Sequence, residues 1–101
     1  MKSFRFYSDA GHGWLAVKRS LLIDLGIIGD ITGCSYQKGD TVYLEEDKDM
    51  TTFIKVFIAR YNRSPDILDA ELYESGIQSS HSPIRNYNHF TLNDGERFNP
   101  W

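Results

Sequence analysis

His12–Ile27 (HGWLAVKRSLLIDLGI) and, after a short gap, Ser35–Asp47 (SYQKGDTVYLEED) are the stretches that decide the fold. Trp14 to Val17 is an extended apolar run of strand type. Lys18 to Leu25 then switches period, with Leu21, Leu22 and Leu25 on one face of a short helix. Gly26 stands where a left-handed C′ residue is wanted, and Ile27 is placed to pack back on the last turn, as in a Schellman stop. Gly29 to Gly33 reads as a looser connector. Cys34–Gln37 and Thr41–Glu45 flank Lys38-Gly39-Asp40, a tight hairpin signal. Alternation along the second arm turns Val42 and Leu44 to the core and Thr41, Tyr43 and Glu45 outward.

On the N-terminal side, Ser3–Tyr7 (SFRFY) alternates polar and aromatic residues at period two and reads as a half-buried strand. A turn at Ser8–Gly13 joins it to Trp14–Val17 as a hairpin. On the C-terminal side, Met50, Phe53, Ile54, Phe57, Ile58 and Tyr61 form a continuous stripe at helical spacing. Asp47 or Asp49 is placed to cap that helix, and Asn62 and Pro65 mark its end. Asp69–Ser75 (DAELYES) alternates weakly as a further sheet element. The order β-β-α-β-β-α-β predicts an α+β domain: a small, mainly antiparallel sheet, one amphipathic helix packed on a face, and one short helix. Residues 1–78 form the compact domain in this reading. Residues 79–101 are a C-terminal segment, docked or partly mobile, with Tyr87, Phe90, Phe98 and Trp101 as its apolar anchors.

A chain of 101 residues has the size of one domain and can bury a core without staples. No segment approaches the ~18 apolar residues of a membrane span, and no apolar secretory stretch opens the chain, so no membrane is expected. One cysteine, Cys34, excludes an internal disulfide and fits the cytoplasm. The net charge of −3 is spread over both halves, which disfavours non-specific nucleic-acid binding. It favours a protein partner or a small ligand.

Catalytic patterns are sparse. His12 lies between glycines beside Trp14, where it is able to act as acid, base or ligand; the plainer reading is a turn residue facing solvent. His12, His81, His89 and Cys34 show no zinc-ligand spacing, so no metal is expected. Cys34 reads as a small buried hydrophobe. No nucleophile elbow, phosphate loop or dinucleotide fingerprint occurs, and no cofactor is implied. Glu45, Glu46, Asp47 and Asp49 concentrate four carboxylates, read first as helix-capping and solubilising residues, then as a protein-facing patch, and last as a cation site, for which the EF-hand spacing is missing. Ser82–Tyr87 combines a rigid proline with Arg85 and Tyr87, residue types favoured at interfaces, although the run also suits docking on its own sheet.

Two resemblances follow from these blocks. GHGWLAVKRSLLIDLGI, YQKGDTVYLEEDKD with a following phenylalanine, and SPIRNY resemble a set of small bacterial and bacteriophage proteins of uncharacterised function. That likeness implies a bacterial or mobile-element context and carries no chemistry with it. Val17, Leu21, Leu25, Gly26, Ile27, Gly39, Asp40, Val42 and Leu44 also resemble the AbrB/MazE-type swapped-hairpin transcription factors. This chain departs from that pattern at Lys18, in the added stretch 28–37, and in the helix after the Gly-Asp strand.

The sequence therefore points to a small non-enzymatic interaction protein of phage or mobile-element type. It would bind and modulate a host protein in a defence or nucleic-acid-processing complex. Tyr36, Tyr43, Glu45, Glu46, Asp47, Asp49, Arg85 and Tyr87 are the expected contacts. A second reading is an AbrB-like dimeric DNA-binding regulator with Lys18, Arg19 and Lys38 on phosphates. A third is an enzyme using His12 with a carboxylate such as Asp9.

Overall fold

SFRFYS folds as β1 (Ser3–Ser8) and GWLAVK as β2 (Gly13–Lys18), paired antiparallel with Arg5 opposite Ala16 and Tyr7 opposite Trp14. The computed structural model describes residues 3–70, 83–93 and 95–96. The short helix α1 (Arg19–Asp24) ends as its sequence requires. Gly26 takes φ 76°, its N–H bonds the Ile23 carbonyl, and the Ile27 N–H reaches back to Leu22. That pair of bonds is the Schellman motif, and buried Ile27 closes over the last turn. A 3-10 turn at Ile28–Asp30 leads to the hairpin of β3 (Tyr36–Lys38) and β4 (Thr41–Glu45). Lys38 pairs with Thr41 across a two-residue turn, and Gly39 supplies its positive φ of 59°.

The main helix α2 (Asp49–Tyr61) follows, stopping at Asn62, which takes the left-handed conformation and donates to the Ile58 carbonyl. β5 (Asp66–Ala70) then runs parallel to β1, starting three residues before the expected Asp69 because Ile67 aligns with Phe4 and packs on the core. Residues 71–75 of the expected strand lie outside the described residues. Beyond them, a 3-10 turn (Pro83–Asn86) and the two-residue β6 (Asn88–His89) bring the chain back to β3. The sheet has strand order β5-β1-β2-β4-β3-β6, antiparallel throughout except for β1 with β5. The architecture is the α+β class that the alternating patterns predict. The described part of the C-terminal segment docks on its own sheet.

Alternation sorts each strand into two faces. Phe4, Leu15, Val17, Val42 and Leu44 turn inward against α2 and form one buried cluster with Leu22, Ile28, Phe53 and Phe57. Phe4, Phe53 and Phe57 meet edge-on or tilted, with centroids 5.2–5.7 Å apart. Each fully buried side chain of this type contributes roughly 1.5–3 kcal/mol. The apolar stripe of α2 is covered from Met50 to Phe57, whereas Ile58 and Tyr61 are each 42% exposed at the helix end.

The start of α2 departs from expectation. Neither Asp47 nor Asp49 caps it with its side chain; instead the Glu45 carboxylate accepts the N–H groups of Asp47 and Lys48, both at 3.0 Å. Asp49 is fully buried and turns inward. One oxygen accepts from the Thr32 N–H and hydroxyl and from the Ser35 hydroxyl, while the other has no hydrogen-bond partner among the described residues. A buried carboxylate needs such donors to be tolerated. It ties the 32–35 loop to α2, and it is removed from any surface patch. The same arrangement explains why Cys34 is exposed rather than buried: its neighbours Thr32 and Ser35 take the inward positions.

Candidate functional site

The opposite face of the sheet carries the residues that alternation turns away from α2. Register places Leu68, Arg5, Ala16, Tyr43, Tyr36 and His89 in one row across the strands. The neighbouring rows hold Ser3, Lys18, Thr41 and Lys38 on one side and Tyr7, Trp14 and Glu45 on the other. Half of the large side chains here are aromatic, and rings from neighbouring strands touch. Tyr7 lies 6.1 Å from Tyr43, Tyr43 lies 5.2 Å from Tyr87, and Tyr36 stacks on His89 at 4.7 Å.

One half of this outer face is covered by the C-terminal segment. Trp14 is 2% exposed and Ile84 is fully buried, although both stand outside the α2-side cluster. The Arg85 guanidinium lies 5.5 Å over the Trp14 ring and grips the Asp9 carboxylate at 2.7 and 3.0 Å. That bond is the largest cause holding Arg85 above its ordinary pKa. Asp9 also accepts from the Gly11 and His12 N–H groups, so this carboxylate fixes the β1–β2 turn and the C-terminal segment together. His12 is exposed and tilts beside Trp14 at 6.1 Å. Its main chain, through the N–H, meets the Asp9 carboxylate that the sequence pairs with it.

A second pin closes the far end of the segment. Arg19 is 9% exposed and grips Glu96 in two-pronged fashion at 2.7 and 2.8 Å, with Gln37 and the Thr91 carbonyl as further acceptors. The hydrogen bond from Arg19 holds the Glu96 carboxyl below its ordinary value. Arg19, expected on phosphates, is thus an internal ion-pair residue with Phe90 beneath it.

The other half of the outer face is open. Ser3, Arg5, Tyr7, Ala16, Lys18, Thr41 and Tyr43 line a groove of about 520 Å³, closed at one end by Ser20, Leu21 and Asp24 of α1. No protein family, characterised protein or solved structure matches this chain. The site therefore has to be read from its own chemistry. Tyr36, Tyr43 and Tyr87 are half-buried on the outer face, Tyr43 with the outward parity that strand alternation predicts. Burial, with Tyr87 and Tyr7 adding to it, pushes the Tyr43 phenol above its ordinary pKa. Glu45, Glu46 and Asp47 gather at one end of the strands, Asp47 exposed and the glutamates half-buried. Of the eight expected contacts, Asp49 is buried and Arg85 is committed to Asp9.

Arg5, Tyr7, Ala16 and Thr41 were not singled out by the sequence. The parity of Arg5, Tyr7 and Thr41 was readable from the alternation of SFRFYS and TVYLE, but that of Ala16, within the unbroken apolar run of GWLAVK, was not, nor was the pairing that joins the four into one groove. Among the described residues, no group of three His, Cys, Asp or Glu side chains stands close enough to hold a metal ion. No helix among them is long and apolar enough to cross a membrane.

Proposed function

We propose that this chain is a non-enzymatic interaction protein of phage or mobile-element type, which binds and modulates a host protein in the bacterial cytoplasm. The observation that carries the reading is the outer sheet face, where half-buried tyrosines continue into the acidic turn at Glu45–Asp47. Tyrosine supplies large contact area with a polar tip at low entropic cost, and it is enriched where proteins meet. Tyr36, Tyr43 and Tyr87 form the apolar part of the contact, and Glu45, Glu46 and Asp47 its charged rim. The likeness to small bacterial and bacteriophage proteins in the GHGWL, YQKGD and SPIRNY blocks supports the cellular setting.

Affinity capture from nuclease-treated bacterial lysate tests this reading, with three baits: the native chain, Tyr36→Ala, and a Glu46→Lys, Asp47→Lys double variant. A stoichiometric protein held by the native chain and lost from both variants is the expected result. A partner that binds all three equally, or no nuclease-resistant partner at all, defeats the proposal.

A further inference from the structure

The outer face is electrically uneven along its strands. β4 begins at Thr41, opposite Lys18 and Lys38, and ends at Glu45, opposite Trp14. The acidic turn therefore sits at one end and the cations at the other. At the cationic end the open groove contains Arg5 and Lys18, both exposed, and neither side chain makes a hydrogen bond or ion pair among the described residues. They occupy diagonal positions on adjacent strands, Arg5 opposite Ala16 and Lys18 two residues further along. Such positions are roughly 7–8 Å apart between strands, close enough for the two charges to repel when nothing anionic lies between them.

The rest of the lining narrows the occupant. Tyr7 and Tyr43 present aromatic rings on one wall, Ala16 leaves the floor shallow, and Ser3, Ser20 and Thr41 offer hydroxyls. Of the carboxylates near this end, Asp66 is engaged by the Ser3 hydroxyl at 2.7 Å, Asp24 lies at the α1 rim, and exposed Asp40 stands in the turn between Lys38 and Thr41. Rings for stacking beside cations for phosphates are the two elements by which sheet surfaces hold unpaired bases. A duplex presents no free ring faces, whereas a single strand sets a flat base beside every phosphate and so engages the rings and the cations together.

We propose that this groove binds single-stranded nucleic acid, with phosphates on Arg5 and Lys18 and a base against Tyr7 and Tyr43. Of the chain's carboxylates, Glu45, Glu46 and Asp47 stand at the opposite end of the strands, while Asp24, Asp40 and Asp66 stand near the cations and temper their field. The groove shares Tyr43 with the surface assigned to a host protein, but the positions that test it, Arg5, Tyr7, Ala16 and Lys18, lie outside that surface, so one site can fail without the other. A protein that held both would suit a nucleic-acid-processing complex.

Fluorescence anisotropy with short labelled oligothymidylate and oligouridylate, across a salt series, tests the proposal. Two neutralised phosphates give a slope of log affinity on log salt near −1.4, about 0.7 per phosphate on a single strand. Arg5→Ala and Lys18→Ala each reduce that slope by about half, and Tyr7→Ala weakens binding on the order of tenfold. Ala16→Trp fills the floor and abolishes binding. Circular dichroism melting confirms that each variant is folded, and amide shifts confined to Arg5, Tyr7, Ala16 and Lys18 locate the strand. Absent binding at low salt overturns the proposal, as does equal affinity for duplex, stronger binding of an acidic peptide, or indifference to Arg5→Ala and Lys18→Ala together.

Discussion

The two faces of one sheet use the same strands for opposite purposes. On the α2 side, buried residues are mostly aliphatic or phenylalanine, with Asp49 and the Ser35 that donates to it as polar exceptions. On the outer side, alternate residues of the same strands are tyrosine, tryptophan, arginine and lysine. The inner face is covered by a helix, which buries it. The outer face is half covered by a C-terminal segment held by two ion pairs and half open as a groove. Side chains with a polar tip tolerate either water or a partner, whereas phenylalanine and leucine do not. The difference teaches that stability and recognition have been assigned to opposite parities of the same sequence pattern.

The sharpest way to break that division is to cut equal amounts from each side. Phe53→Ala removes a fully buried ring that touches Phe4 and Phe57, and it should cost roughly 3–5 kcal/mol. Against a total stability of about 5–15 kcal/mol for a small domain, that approaches unfolding. Arg5→Ala on the exposed outer row should change stability by less than about 0.5 kcal/mol. Urea denaturation of the two variants checks both. Comparable losses would show that the outer face is structural and would remove its claim to be a site.

The covered half of the outer face can be tested separately through Glu96. Replacement by alanine leaves the Arg19 guanidinium inside without its two-pronged acceptor, a loss of roughly 1.5–3 kcal/mol for hydrogen bonds to a charged group. The pH dependence has a fixed sign. The folded-state pKa of Glu96 lies below its ordinary 4.5, so the ion pair stabilises fully above 4.5 and is lost as pH falls through the depressed value. Glu96→Gln has no such titration. The stability gap between native chain and Glu96→Gln should therefore narrow between neutral pH and about pH 3. A gap that stays constant would mean that the segment is held by Ile84 and Phe90 instead.

Much of the inner face was legible in the sequence because it rests on local periodicity. The stripe from Met50 to Phe57, the Gly26 stop and the Val42/Leu44 parity each need only a few adjacent residues, and the structure has them all. The outer face depends on register between distant strands, which no local pattern encodes. The row from Leu68 to His89 joins residues from five strands besides Ala16's own, and the groove exists only once they align. Acidic residues misled for a related reason. Asp49 and Asp47 look alike in a run of carboxylates, yet Thr32 and Ser35 bury one of them and leave the other exposed. Arg19 and Lys18 differ in the same way, since the partner of Arg19 is Glu96, far along the chain.

The smallest expected effect tests whether the outer tyrosines act as one cluster across the covered and open halves. Tyr43 stands between Tyr7 of the groove and Tyr87 of the C-terminal segment. Burial is the largest cause of its raised pKa, and the charge that Tyr87 would carry adds to it, as does a hydrogen bond between the two. Because the folded-state value exceeds the unfolded 10.0, an unfolded tyrosine releases its proton first, and stability falls as pH rises beyond 10. Tyr87→Phe removes the second contribution and keeps most of the burial. Phenolate absorbance titration should then show Tyr43 moving down toward 10.0 without reaching it. The alkaline loss of stability should soften in step. If Tyr43 titrates unchanged in Tyr87→Phe, the covered and open halves are electrostatically independent, and a ligand in the groove would leave the C-terminal segment undisturbed. If it moves as expected, an anion seated beside Tyr43 is felt by Tyr87, and the two halves of the outer face respond to a ligand together.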